Sequence, residues 1–172
     1  MTEITFITGG QRSGKSSFAQ SLAEQHSASP IYLATSRHWD DDFTKRIQRH
    51  QREREESGEG WQTIEEETKL NTLALSGKTV LLDCVTLWLT NIFHDNQYAL
   101  EPSLNEARTI WDSFIDQPFT LFVVSNEIGM GLHAVDASAR RFADLHGWMN
   151  QYIASTAQTV FTVFSGIPLK LK

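Results

Sequence analysis

The 172-residue sequence predicts an α/β fold, a mostly parallel central sheet flanked by helices. Three observations carry this expectation. Short apolar runs rich in Val, Ile, Thr and Phe recur along the chain, helix-patterned stretches separate them, and a glycine-rich loop joins the first run to the first helical stretch. Strands buried on both faces read as continuous apolar runs, and their alternation with helices builds parallel crossover units. The length suffices to bury a substantial core and fits one domain over residues 1–172.

The first run, residues 4–8, delivers the chain into Gly9, Gly10, Gln11, Arg12, Ser13, Gly14, Lys15 and Ser16, a complete G-x-x-x-x-G-K-[ST] phosphate-binding loop. Glycines there let backbone N–H groups curl around phosphate oxygens, the lysine reaches the outer phosphates, and the Ser16 hydroxyl ligates Mg²⁺. A helix must follow, and residues 15–26 supply it, with Phe18 and Leu22 four apart on one face. The fold class is therefore P-loop NTPase-like. A strand over 31–35 comes next, then a helix over 40–57, closed by the loop signal Ser57, Gly58, Glu59, Gly60.

The run at 79–84 has the Walker B form, with Asp83 after four residues that begin Thr79, Val80. An aspartate at a strand end can also be the cap of the next helix; beside a phosphate-binding loop, the metal role is the better reading, and Ser16 and Asp83 become the candidate Mg²⁺ ligands. Helices are expected near 86–94 and over 103–116, strands at 119–125 and 159–164, and a helix at 138–157 on which Phe142, Leu145, Trp148, Met149 and Tyr152 recur as a core face. Trp111 also reads as core.

Charge and cysteine usage remove whole function classes. A net charge of −6 argues against a broad nucleic-acid-binding surface, and the single Cys84, inside an apolar run, excludes an internal disulfide and reads as buried packing. No C-x-x-C or H-E-x-x-H spacing suggests zinc. The lack of a leader-like N-terminus or of a run of about 18 apolar residues leads us to expect a cytoplasmic protein without a membrane span. Without an N-K-x-D run to read a guanine base, a switch GTPase is disfavoured.

Within 40–57, three aspartates open the helix and Arg46, His50 and Arg54 follow at intervals of four, which places an imidazole between two guanidiniums on one face. Neighbouring positive charge disfavours the imidazolium, leaving His50 neutral and nucleophilic, while guanidiniums grip phosphate oxygens. From this segment alone a solvated charged helix is the plainer reading.

Resemblance to a known family reverses that judgement. Thr8 through Ser16 resembles a T-G-G-x-R-S-G-K-S motif, Arg46 to His50 an R-I-x-x-H motif, Asp83 to Asn91 a D-C-x-T-L-W-x-T-N motif, and Ser125 to Gly131 an S-N-E-x-G-x-G motif. With Tyr32 to Ser36, Asn150 and Gln151, and Gly166 to Leu169, the likeness covers nearly the whole chain. The chain is similar to the bifunctional adenosylcobinamide kinase and adenosylcobinamide-phosphate guanylyltransferase family of cobalamin biosynthesis. The resemblance implies ATP or GTP as phosphoryl donor to the corrinoid hydroxyl, then GMP transfer from GTP to the resulting phosphate. It implies that His50 carries GMP covalently, and that residues 9–16, Ala34, Thr35, Ser36, Arg54, Glu65 and Asp83 contact nucleotide. It also implies a homo-oligomer, with a trimer the first number to test.

This chain departs from the family pattern at Leu132, His133 and Ala134, and at Phe142, Ala143 and Asp144 where the family has F-R-D. Both places bear on the corrinoid side or a subunit contact rather than on nucleotide chemistry. Two other classes remain compatible with the residues: a P-loop kinase of another small hydroxyl substrate, and a nucleotide-binding regulatory protein.

Overall fold

In a computed structural model, residues 1–37, 60–131 and 133–172 are described. The helix expected over 40–57, and with it Arg46, His50 and Arg54, lies outside the described residues. The elements are β1 (Glu3–Gly9), α1 (Lys15–His26), β2 (Ile31–Ala34), β3 (Gln62–Glu65), β4 (Thr79–Asp83), α2 (Val85–Asp95), α3 (Leu100–Ile115), β5 (Thr120–Val124), α4 (Ala137–Thr156), β6 (Thr159–Phe164) and β7 (Ile167–Lys170). One seven-stranded sheet runs in the order β3-β2-β4-β5-β1-β6-β7, parallel throughout except for the antiparallel β6–β7 pair.

Within the apolar runs, alternate residues serve opposite faces, as the two-residue period of a strand demands. Ile4 and Phe6 of β1, Val80 and Leu82 of β4, and Leu121 and Val123 of β5 join the core under α2, α3 and α4. Ile7, Leu81, Phe122 and Val124 turn the other way, toward Ala19 and Ala23 of α1. Cys84 is buried in that second cluster, as its apolar neighbours suggested.

Helix α3 starts at Leu100, three residues before the expected boundary, because Pro102 falls in its first turn, where the missing N–H removes no intrahelical bond. Its buried residues Leu104, Ala107, Trp111 and Phe114 form one stripe. Helix α4 opens at Asp136, whose carboxylate accepts from Ala139 N at 2.9 Å. Trp148 is a correction to the sequence expectation: it is 40% exposed, while Leu145, Met149 and Ile153 carry the core face. At helical spacing, a position three from Leu145 sits at the margin of the stripe, and here that margin faces solvent.

Strands β3 and β7 were not expected from the sequence. Neither has a buried residue: β3 is exposed or half-buried and β7 exposed throughout, so the apolar run that betrays a central strand is missing from both. Both lie at sheet edges, where Pro168 of β7 is tolerated. The two-residue turn Ser165-Gly166, with φ of 51° and 82°, closes the β6–β7 hairpin.

Trp111 is fully buried, with its ring 6.5 Å from that of Trp88 and 6.0 Å from that of Phe114. Trp111→Ala should lower the unfolding free energy by about 3–5 kcal/mol, a loss readable as a fall in the urea midpoint at unchanged slope.

Candidate functional site

The phosphate-binding loop connects the buried end of β1 to the first turn of α1. Gly9 has φ 146°, and a Cβ there would lie 2.5 Å from the Val163 carbonyl oxygen, so only glycine lets β6 approach this closely. Gly14, at φ 96°, caps α1, and a Cβ on it would meet Gly166 Cα at 3.2 Å. The hairpin turn thus braces the loop from behind, and Gly166 N donates to Ser13 O at 2.8 Å. Lys15 is buried to 6% exposure, and its Nζ donates to the Gly10 carbonyl and, at 3.4 Å, to Ser13 Oγ, holding the ammonium across the loop.

Strand register aligns the other expected nucleotide residues. Ala34 of β2 pairs with both Glu65 of β3 and Asp83 of β4, and Asp83 pairs with Val124 of β5, itself opposite Ile7 of β1. Glu65, Ala34 and Asp83 therefore form one row along the C-terminal edge of the sheet, where ligands bind in open parallel sheets. Asp83 Oδ2 accepts from the Tyr32 hydroxyl at 3.0 Å. A cis peptide joins Asp83 to Cys84. Thr35 is buried, and its hydroxyl donates to Cys84 O at 2.9 Å. Glu65 is exposed, and Ser16 and Ser36 are half-buried. His50 and Arg54 lie outside the described residues.

Asn91 of α2 donates to Thr35 O at 2.7 Å and to Glu67 O at 2.9 Å. Just past Ser36, Arg37 forms a bidentate pair with Asp95, both bonds 2.7 Å, and a further contact to Glu67. Those hydrogen bonds from Arg37 hold the Asp95 carboxyl down to about 2 and push the guanidinium further up.

A second polar group lies beneath the loop, among residues the sequence motifs contained without assigning them a role. The Thr8 hydroxyl donates to Glu127 Oε1 at 2.6 Å, and Glu127 N donates to Gly9 O at 3.0 Å. Asn150 Nδ2 reaches Asn126 O at 3.0 Å and Glu127 Oε1 at 3.4 Å, while Asn150 Oδ1 accepts from the Ser125 hydroxyl at 2.7 Å. Asn126 Nδ2 donates to Thr86 Oγ1 at 2.9 Å, and the same hydroxyl is hydrogen-bonded to His146 Nε2, 2.8 Å away. His146 is buried, and burial pushes its pKa down to about 4. The ring is thus neutral at physiological pH. The match of Ser125-Asn126-Glu127 and Asn150-Gln151 to the family motifs was the available signal for this group.

Fold and loop together define a P-loop nucleotide-binding protein built for phosphate chemistry. The family described as cobinamide kinase / cobinamide phosphate guanyltransferase matches residues 5–171. The chain is 34% identical to the bifunctional adenosylcobalamin biosynthesis protein CobP of Pseudomonas aeruginosa over 171 residues, covering 96% of this chain and 95% of that protein. It is 35% identical to the corresponding protein CobU of Escherichia coli K12 over 184 aligned positions, covering 98% and 99%, and 33% identical to that of Salmonella typhimurium, again covering 98% and 99%. The chain belongs to the cobinamide kinase / cobinamide phosphate guanyltransferase family.

His146 makes stability depend on pH. Its folded pKa of about 4 lies below the ordinary value of 6.5, so between these the unfolded chain binds the extra proton and stability rises with pH. Lowering the pH from 7 to 5 should cost about 2 kcal/mol through this group. In urea titrations at both pH values, His146→Gln should lose that part of the pH dependence.

Proposed function

We propose that the chain phosphorylates the side-chain hydroxyl of adenosylcobinamide with a nucleoside triphosphate, ATP or GTP. It then transfers GMP from GTP to the new phosphate, giving adenosylcobinamide-GDP and pyrophosphate. One domain, residues 1–172, carries both activities and acts in the cytoplasm, as a homo-oligomer whose number of subunits is to be tested against three. Among the described residues no helix is long and apolar enough to cross a membrane. The observation that carries the reading is the row of Glu65, Ala34 and Asp83 along the sheet edge that also presents the complete phosphate-binding loop, in a chain matched to the family over residues 5–171.

In the kinase step the substrate oxygen forms a bond to the γ-phosphorus as the β–γ bridge breaks, and the nucleoside diphosphate leaves. Lys15 and the loop N–H groups bind the outer phosphates, and charge on the transferring group is held by positioned donors rather than by covalent catalysis. In the second chemistry an imidazole nitrogen of His50 attacks the α-phosphorus, pyrophosphate leaves, and the substrate phosphate then displaces imidazole from the phosphoramidate. Arg54 and residues Ala34, Thr35, Ser36 and Glu65 contact nucleotide in this reading.

The donor set at Ser16 and Asp83 fits Mg²⁺, since a hydroxyl and a carboxylate are hard oxygen ligands and Tyr32 occupies only one carboxylate oxygen of Asp83. Magnesium bound there supplies positive charge against the polyphosphate. Tyr32 orients the Asp83 carboxylate through its hydroxyl.

Lys15→Ala should slow both reactions, by about 30- to 1,000-fold, the rate equivalent of roughly 2–4 kcal/mol of lost stabilisation, in separate assays of corrinoid phosphorylation and of GMP transfer. Incubation of the wild-type protein with GTP and Mg²⁺ should add one GMP, detected by mass spectrometry, stable to base and labile to acid. His50→Ala should abolish the adduct and the guanylylated product while phosphorylation persists. An adduct that persists in His50→Ala removes that residue from the role.

A further inference from the structure

The kinase step releases a proton from the attacking hydroxyl, and none of the residues assigned above accepts it. We infer that Glu127 is the catalytic base of phosphoryl transfer, an inference that rests on the kinase reading given above. Strand β5 lies between β4, which ends at Asp83, and β1, which runs into the phosphate-binding loop. Glu127 follows the end of β5 and is tied to the loop's first residue by its N–H bond to Gly9 O. Glu127 thus stands at the C-terminal edge of the sheet, beside the loop whose N–H groups take the outer phosphates.

The carboxylate is held by one oxygen and open at the other. Thr8 and Asn150 both donate to Oε1, and no hydrogen bond involves Oε2 among the described residues. The carboxylate is half-buried, and Oε2 is not among the buried oxygens that lack a partner, so it is open to an incoming group. It is suited to accept a hydrogen bond from a substrate hydroxyl, and general-base catalysis requires that contact. Beyond it, the short helical turn Ile128–Met130 presents Ile128 and Met130 to solvent, an apolar approach for a large organic substrate whose hydroxyl must reach Oε2.

The step balances as follows. The hydroxyl oxygen forms its bond to the γ-phosphorus, the β–γ bridging bond breaks with its electron pair going to the departing nucleoside diphosphate, and the hydroxyl proton passes to Glu127 Oε2. Guanylyl transfer has no such requirement, because a neutral imidazole and then a substrate phosphate are the nucleophiles.

Glu127→Gln keeps the shape and an oxygen acceptor for Thr8 and Asn150 while removing the base. It should retain GTP affinity within about threefold and lose about 100-fold or more in kcat for adenosylcobinamide phosphorylation, with KM for the corrinoid changed far less. Guanylylation of ready-made adenosylcobinamide phosphate should stay within about threefold of wild type. Phosphorylation by the variant within about fivefold of wild type, or an equal loss of both reactions, overturns the inference. If the variant fails to bind GTP, Glu127→Asp decides: a carboxylate set back by one methylene should lose about tenfold in kcat, and a wild-type kcat overturns the assignment. Failure of the wild-type protein to phosphorylate adenosylcobinamide would instead strike the kinase reading itself.

Discussion

The hydrogen-bonded chain from Thr8 through Glu127, Asn150 and Ser125 is the constraint on which the rest of the site depends. Register pairing of β1 with β5 ends at Ile7 and Val124, and the backbone beyond it must find partners of another kind. Glu127 N to Gly9 O prolongs the ladder by one bond, and the side chains of Asn150 and Asn126 take over from there. Since an unpaired buried polar group costs about 1–3 kcal/mol, a closed group of this kind admits one arrangement and penalises its neighbours. It fixes the ends of β1 and β5 against α4, and through Thr86 against the start of α2.

The far side of the row formed by Glu65, Ala34 and Asp83 is held differently, and magnitudes decide what holds it. Arg37, Asp95 and Glu67 form the conspicuous ion-pair group, but Asp95 and Glu67 are about half exposed, and such pairs contribute roughly 0–1 kcal/mol each. Asn91 is fully buried, and its two bonds to the carbonyls of Thr35 and Glu67 face no competition from water. Buried amide bonds therefore fix Thr35, and the ion pairs set the direction in which the chain leaves Ser36. The same Asn91 bonds position α2 over the ends of β2 and β3.

How much of this could be read from the sequence follows from where each interaction lives. The phosphate-binding loop is local: the demands of Gly9 against Val163 and of Gly14 against Gly166 are written into glycine spacing within eight residues. The five central strands announced themselves because burial on both faces makes an apolar run. β3 and β7 did not, because edge strands with exposed faces have no such run, although the Ser165-Gly166 pair carried a hairpin signal. Trp148 misled because hydrophobic spacing locates a stripe better than it locates the stripe's edge. The polar group under the loop spans separations of 119 residues for Thr8–Glu127 and 60 for Thr86–His146, and no window of local sequence contains either pair. Sequence motifs could name those residues without saying that they touch.

Two chemistries at two phosphorus atoms of one kind of ligand set a physical requirement on the site. The polyphosphate must stay fixed while the nucleophile changes, so the rigid part of the protein has to grip phosphates and the exchangeable part has to bring nucleophiles. Loop and Lys15 meet the first demand, and the group around Glu127 holds the ends of β1 and β5 that carry them. A carboxylate beside phosphates also carries a penalty, since two unit charges 4 Å apart at a surface-like dielectric repel by about 4 kcal/mol. The donors from Thr8 and Asn150 spread that charge onto protein hydrogen bonds, and the ammonium of Lys15 adds positive charge within the same loop. Glu127 is thereby tolerated beside the phosphates with its second oxygen turned to whatever hydroxyl arrives. The imidazole proposed as nucleophile at the α-phosphorus needs no such carboxylate, so the two proposed reactions can share one grip without sharing a base.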